Sequence, residues 1–285
     1  MTLDSLKALC AIVEAGNFRK AASALHRSQP AISQQLKNLE DELGQELIER
    51  RSCRLTPLGE LVHQRAQSVL AGVRSLEQAL DDFQAAPQVL RLGTSDTTAL
   101  YFLPPVLRRF LKHSPDTRLV MVNRSSDAIA DQVARMELDL GIVTLPLAHP
   151  ALEEQVLFEQ RLVLVTPRKH PLTTKRRIRL NDLAEEPLLL LHAQMRTGRL
   201  LREYFAAEGF TPNVLLDSGS FEVIKRYVAE GIGVSFLPEA VVTPEDKHLQ
   251  AIPMPGLPTV PIGAIWRKGA YRSKAQEAFL ELLRR

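Results

Sequence analysis

The sequence predicts an N-terminal all-α winged helix-turn-helix, a long linker helix, and a C-terminal α/β region. Three observations carry this expectation. Residues 3 to 44 hold apolar side chains at helical spacing in three short blocks. Residues 57 to 84 repeat apolar side chains at threes and fours without a break. From residue 88 onward, short strand-like runs alternate with helix-like ones.

The first block, LDSLKALCAIVEA, puts Leu3, Leu6, Leu9, Cys10 and Val13 on one helical stripe, and Gly16–Asn17 ends it. The second, FRKAASALH (18–26), turns Phe18, Ala21, Ala22 and Leu25 inward, and its small alanine pair lets another helix approach closely. After a break at Arg27–Ser28, a third helix starts with Ser28 or Gln29 as cap and Pro30 in its first turn, where a missing N–H costs nothing. Gly44 ends it. Residues 46–56, ELIERRSCRLT, then read as two short strands around a basic turn, a wing.

The third helix is the informative one. Ile32, Leu36 and Leu39 share its inner stripe, while Gln29, Ser33, Gln34 and Lys37 face outward. An ordinary surface helix shows solvent its charges; this one shows mostly amides and a hydroxyl. Side chains that both donate and accept hydrogen bonds are what a helix in the DNA major groove needs at base edges. Pro30 and Ala31 add apolar atoms for a thymine methyl. Between Glu14 and Glu40 the chain has no acidic residue but carries Arg19, Lys20, Arg27 and Lys37, and Arg50, Arg51 and Arg54 follow in the wing. Such runs also occur as plain solvated surface; flanking this helix, they point to phosphate contacts. The DNA-contact candidates are Ser28, Gln29, Pro30, Ser33, Gln34, Lys37, Arg50, Arg51 and Arg54.

Residues 57–84 carry Leu58, Leu61, Val62, Val69, Leu70, Val73, Leu76, Leu80 and Phe83 at helical spacing. This predicts a helix of about 27 residues, roughly 40 Å long. A lone helix of that length has nothing of its own to bury the stripe against, so the same helix from a second chain is the expected partner. AAP at 85–87 breaks it and marks a linker.

The remainder reads strand VLRLGTS, helix within YFLPPVLRRFLKHSP, strand TRLVMVNRSS, helix DAIADQVARMEL and strand DLGIVTLP, a βαβαβ unit. A second set follows: strand QRLVLVTP, a helical turn at NDLAEEP, strand PLLLLHA, a helix at 197–209, the stretch NVLLDSGS, a helix at 221–230, and strands GVSFLP and PIGAIWRK. SKAQEAFLELLRR is a final helix.

Composition narrows the class. At 285 residues and 45% hydrophobic, the chain holds two or three domains. No apolar run reaches the roughly 18–20 residues of a membrane span, and the first residues lack a basic-then-apolar signal layout, so no membrane association and a cytoplasmic location are expected. The net charge of +3 is too small to diagnose a nucleic-acid binder; the distribution says more. Two cysteines exclude a disulfide framework and a cysteine-rich zinc site. Cys10 reads as a small buried hydrophobe, and Cys53 lies in the basic turn. The seven histidines are scattered with none at ligand spacing, so no metal site is expected. No cofactor is expected either. H-E-x-x-H, G-x-S-x-G and the Walker loop are all missing, which leaves no catalytic candidate.

Taken together, FRKAASALHRSQPAISQQLKNLEDELGQELIER followed by RLTPLGE resembles the N-terminal signature of LysR-type transcriptional regulators. The match runs through Ala21, Ala22, Leu25, Ser28, Gln29, Pro30, Ala31, Ile32, Ser33, Leu36, Leu39, Glu40, Leu43, Gly44, Leu47, Ile48, Arg50, Leu55, Thr56 and Gly59. It departs at Gln34, where many members carry Arg, and at Ile48, where Phe is commoner. LRLGTSDTTALYFLPPVLRRFLKHSPDTRLVMVNRSS, ELDLGIV and VAEGIGVSFLP resemble the family's effector domain. The resemblance implies two α/β lobes around a cleft, similar to periplasmic solute-binding proteins. It also implies a small-molecule effector, promoter half-sites in double-stranded DNA, a homodimer through the linker helix, pairing into a homotetramer, and RNA polymerase as a further partner. The expected layout is 1–58 for the winged helix-turn-helix, 59–87 for the linker helix, and 88–285 for the effector domain. Within that domain, lobe I would comprise 88–161 and 267–285, and lobe II 162–266.

In open α/β sheets, ligands bind beyond the carboxyl ends of the strands, where helix N-termini point. Ser95, Asp96, Thr97 and Thr98 follow the first strand, Ser125 and Ser126 the second, and Thr144 ends the third. In the other lobe, Arg196–Thr197–Gly198 opens a helix and Ser218–Gly219–Ser220 precedes another. The effector-contact candidates are Ser95, Asp96, Thr97, Thr98, Ser125, Thr144, Arg196, Thr197 and Ser220. Each hydroxyl could equally be a simple helix cap, and Arg196 a plain surface residue. The hydroxyls suit a small anion or carboxylate; Asp96 suits an amino group, which would make the effector an amino acid. A transport binding protein is the competing reading of the C-terminal half alone, and the helix-turn-helix argues against it.

Overall fold

The computed structural model describes residues 1–50, 52–84 and 88–284. Arg51 and the 85–87 break therefore lie outside the described residues. The chain divides into two compact units: Met1–Ala86 with Gly269–Arg272, and Pro87–Lys268 with Ser273–Arg285.

In the first unit, α1 (Leu3–Ala15) is capped by Thr2, whose hydroxyl accepts the Ser5 N–H, and ends at Gly16 with a left-handed φ of 60°. Asn17 caps α2 (Phe18–Ala24), which stops two residues short of the predicted end, and His26 takes a φ of 52° in the turn that follows. Helix α3 (Gln29–Leu43) ends at Gly44. Leu6, Leu9, Ile12, Ala21, Ala22, Ile32, Leu36 and Leu39 form one core. Leu3, expected on the inner stripe, is 41% exposed. Helix α1 instead buries Ser5, Ala8 and Ile12 because its inward face is centred one position round from the predicted stripe. The wing is a minimal antiparallel pair, β1 (Ile48–Glu49) and β2 (Arg54–Leu55).

Helix α4 spans Pro57–Phe83, capped by Thr56. Its first half packs on the same core through Ala66 and Leu70. Gly59 lies where an added Cβ would meet the Leu47 carbonyl oxygen at 2.0 Å, so the helix start and wing base touch backbone to backbone. Helix and wing thus share one core, and the expected boundary at 58 falls inside a continuous helix. Gly269–Arg272, expected in lobe I, belong to this unit: the Tyr271 hydroxyl donates to Asp82 of α4 at 2.9 Å.

In the second unit, β3 (Val89–Thr94) runs parallel to both β4 (Arg118–Asn123) and β5 (Leu140–Thr144). A π-helical turn (Thr98–Phe102) leads into α5 (Leu103–His113), and α6 (Ser126–Ala134) connects β4 to β5. The sequence anticipated a strand only from residue 160, but β6 runs from Leu152 to Pro167. Its first half mixes exposed Glu153, Glu154 and Val156 with half-buried Leu157 and Phe158 in no regular alternation, which hid it. Strand β6 crosses between lobes. It pairs with β11 (Thr259–Arg267) through Arg161, then from Leu162 with β9 (Ser235–Pro238) and β10 (Leu249–Ile252). The parallel pair β7 (Leu188–Leu191) and β8 (Val214–Ser218), with α7 (Arg196–Ala207) and α8 (Phe221–Ala229), completes the second lobe. Strand β11 pairs with β5 from Ile262 to Ile265, so residues 259–266, expected in lobe II, lie in the sheet of lobe I. Helix α9 (Lys274–Leu283) packs on α5, with Phe279 edge-on to Phe110 at 5.2 Å.

Candidate functional site

Two surfaces stand out, one on each unit. On the first, α3 is anchored by Ile32, Leu36 and Leu39, all within 1% of full burial. Gln29, Pro30, Gln34 and Lys37 are exposed, and Ser33 is half-buried at the edge of the same face. Ser28 spends one lone pair as the cap, accepting the Ala31 N–H at 3.3 Å, and stays exposed. The Gln34 side-chain amide donates to Asn38 Oδ1 at 2.7 Å, which holds both amides against the helix. An exposed face of amides and one cation, carried on a two-helix platform, can present hydrogen-bond donors and acceptors to base edges.

The wing arginines separate into different environments. Arg54 is exposed. Arg50, predicted to face phosphate, turns partly inward: its Nη2 meets Glu40 Oε2 at 2.5 Å and its guanidinium lies 5.8 Å from the centre of the Phe18 ring. Arg51 lies outside the described residues. Cys53, half-buried with a φ of 52°, forms the bend of the turn.

On the second unit, a cavity of about 270 Å³ opens between the two lobes. All nine effector candidates line it: Ser95, Asp96, Thr97, Thr98, Ser125, Thr144, Arg196, Thr197 and Ser220. The fold brings them together because β3, β4 and β5 end on one side while α7 and α8 begin on the other. Gly198 permits this. A Cβ there would meet the His192 carbonyl at 2.2 Å, so α7 can start hard against the end of β7 only with glycine.

Their local roles differ. Ser125 caps α6, accepting the Ala128 N–H at 3.4 Å. Ser95 hydrogen-bonds Thr98, which is buried, at 3.1 Å. Thr97, Met195 and Ser220 stand at the cap positions of the π-turn, α7 and α8 and make no side-chain cap bond. The first N–H groups of α7 and α8 therefore have no side-chain acceptor, and the positive ends of both helix dipoles face the cavity. Asp96 is exposed and accepts one hydrogen bond, from Asn123 Nδ2 at 2.8 Å. Arg196 reaches across the cavity mouth to Asp127 in the first turn of α6 and to the Pro146 carbonyl. It is neither a bare cation nor a plain surface residue.

Sequence reasoning missed Asn123, Arg124, Asp127, Gln160 and Gln194, which also line the cavity. Asn123, Arg124 and Asp127 sit beside predicted residues at the β4–α6 junction, so position alone would have found them. Gln160 reaches the cavity from β6, whose early half was not anticipated. Beside the cavity, Tyr101 from the π-turn bonds Glu222 and Lys225 of α8, with Lys225 Nζ 2.7 Å from the Tyr101 hydroxyl. Burial and the Glu222 hydrogen bond raise the Tyr101 pKa above its ordinary 10.0. Burial works against the Lys225 charge, but Tyr101, Glu222 and Asp246 outweigh it and raise its pKa. Among the described residues no cluster of His, Cys, Asp and Glu suits a metal, and no helix is long and apolar enough to cross a membrane.

Known proteins resemble both halves of the chain. Residues 3–60 match the lysR-family bacterial regulatory helix-turn-helix model, and residues 84–285 the LysR substrate binding domain model. A probable hydrogen peroxide-inducible genes activator from Streptomyces viridosporus is 34% identical, over 99% of this chain and 93% of its own. The transcriptional regulator CysB of Burkholderia cenocepacia is 31% identical, over 94% and 88%. Among solved structures, a full-length OxyR variant from Pseudomonas aeruginosa superposes with a TM-score of 0.74 at 28% identity, covering 100% of this chain and 95% of that one. Full-length BenM gives 0.62 at 25%, covering 100% and 96%. With both halves matched and the whole length covered, the chain belongs to the LysR family of transcriptional regulators, a DNA-binding helix-turn-helix joined to a domain that binds small-molecule effectors.

Proposed function

We propose that this regulator reads its operator through Gln29, Ser33, Gln34 and Lys37, with Ser28 and Pro30 at the helix entry, and that the wing holds the DNA backbone. The observation that carries this reading is the face of α3: exposed, amide-rich, without an acidic residue in its first turn, and backed by a fully buried apolar stripe. Arg54 is the wing's phosphate contact. Arg50 serves the wing first and the DNA second, because Glu40 already engages its charge.

The effector sits between the lobes, against the unbonded cap positions of Thr97, Ser220 and the start of α7. A thiol switch in that domain is not the means of regulation: both cysteines, Cys10 and Cys53, lie in the first unit. The dimer forms through α4. Leu61, Val69, Leu76, Leu80 and Phe83 lie on one stripe of that helix and are 47–89% exposed, an apolar seam suited to a second copy. Such dimers then pair into a tetramer.

A gel-shift titration against the DNA upstream of the protein's own coding region tests the DNA reading. Gln29→Ala should cost about 1–3 kcal/mol on the preferred site and relax one base position. Unchanged affinity and base preference would remove α3 as the reading element.

A further inference from the structure

We infer that the effector is an α-amino acid bound as its zwitterion, with its ammonium group on Asp96; this rests on the cavity between the lobes being the effector site.

The argument is one of charge and pairing. Four charged side chains line the cavity: Asp96, Arg124, Asp127 and Arg196. Two are acidic and two basic, so the lining has no net charge. A ligand with a net negative charge would have only the partial charges at the starts of α7 and α8 to offset its lost hydration. A ligand that carries both signs and sums to zero meets no such imbalance.

The four side chains are not equivalent. Asp127 pairs with Arg196 Nη2 across the mouth, and Arg196 Nε is buried with no hydrogen-bond partner among the described residues. Asp96 and Arg124 have no ion-pair partner among the described residues. Asp96 accepts a single neutral hydrogen bond, from Asn123 to Oδ1, which leaves Oδ2 to take a donor. Arg124 donates to the carbonyl of the residue before it at 2.8 Å, leaving its other N–H groups unassigned. An unpaired carboxylate and an unpaired guanidinium at adjoining strand ends are the two halves of an amino-acid recognition site. The ammonium goes to Asp96. The carboxylate goes to Arg124, which lines the same cavity. Size agrees: the cavity lies just below the roughly 300–1,000 Å³ of sites for drug-sized ligands, so the occupant is small.

The test is calorimetric titration of the full chain with each of the twenty standard L-amino acids. Each binder is then compared with its deaminated counterpart and with sulfate. At least one amino acid should bind, and removing its ammonium group should weaken it roughly tenfold or more. Asp96→Asn should weaken the amino acid by a similar factor and leave the deaminated acid unaffected or tighter, with the unliganded melting temperature unchanged. Failure of every amino acid to bind overturns the proposal, as does equal binding by the deaminated acid or sulfate. In the latter case, loss of that binding in Thr197→Val would keep the cavity as the effector site. Binding indifferent to Asp96, Arg124 and Thr197 alike would remove both the ligand class and the site.

Discussion

The Glu40 carboxylate and the Arg50 guanidinium form the joint between the third helix and the wing. Glu40 Oε2 meets Arg50 Nη2 at 2.5 Å, while Oε1 accepts the Leu47 N–H at 2.9 Å and the Ile48 N–H at 3.4 Å. Glu40 is only 6% exposed. The wing's two-residue strands are too short to hold their own register, so this carboxylate sets where the wing stands.

Replacing Glu40 with Ala leaves two buried N–H groups without their acceptor and the exposed Arg50 without its ion-pair partner. The expected loss is about 2–4 kcal/mol of stability, read from the urea-unfolding midpoint. A loss below about 0.5 kcal/mol would mean that water replaces the carboxylate and that the joint is incidental.

The two described wing arginines should part company. Arg54→Ala should weaken binding to every DNA sequence and reduce the salt slope by about one, with unfolding unchanged. Arg50→Ala should lower both the unfolding midpoint and DNA affinity. Identical profiles for the two variants would mean that the Glu40 contact does not persist on DNA.

The exposed stripe of α4 sets oligomeric state. Leu76→Glu with Leu80→Glu places two charges in the seam and should shift the protein to a smaller species by light scattering, with the first unit still folded. Leu76 and Leu80 are 61% and 48% exposed, so a folding defect is not the expected cost. An unchanged mass would assign the association to another surface.

The Tyr101–Lys225 cluster links stability to pH at both ends. Tyr101 and Lys225 have raised pKa values, so their contribution is complete below the ordinary values of 10.0 and 10.5 and is lost as pH rises through the raised ones. Burial pushes the Asp246 pKa up, but the Thr243 N–H and Lys225 outweigh it and hold it low. Its contribution is therefore present above the ordinary 3.8 and lost as pH falls through the lowered value. Tyr101→Phe with Lys225→Met should flatten the alkaline limb of the stability profile above pH 10 relative to the parent. Superimposable limbs would show that the cluster is not coupled to folding.

The cross-cavity contact of Arg196 with Asp127 and Pro146 should steady the start of α7. Arg196→Gln is expected to speed amide exchange at the starts of α6 and α7 while sparing α9. Equal exchange in both proteins would show that the lobes are held by other contacts, such as the Tyr101 cluster.

Much of this was legible in the residues. Apolar spacing, caps and helix-ending glycines are local signals, so the helices around Ile32 and Leu76 appeared within a few residues of where they stand. The polar face of α3 was visible for the same reason: on a helix, sequence spacing fixes direction. The nine cavity hydroxyls and charges were found because strand ends and helix starts are also local features, and the fold class says which ends meet. What the tertiary structure alone decided depends on pairing between distant segments. The sequence could not show that Glu40 would claim Arg50, that Asp127 would claim Arg196, or that Arg124 would have no ion-pair partner among the described residues. Nor could it place the return crossing at Thr259, because β11 is apolar from Val260 to Trp266 and only its pairing with β5 and the first half of β6 assigns it to a lobe. Periodicity records which way a side chain faces; which charge it meets is set by chain segments tens of residues away.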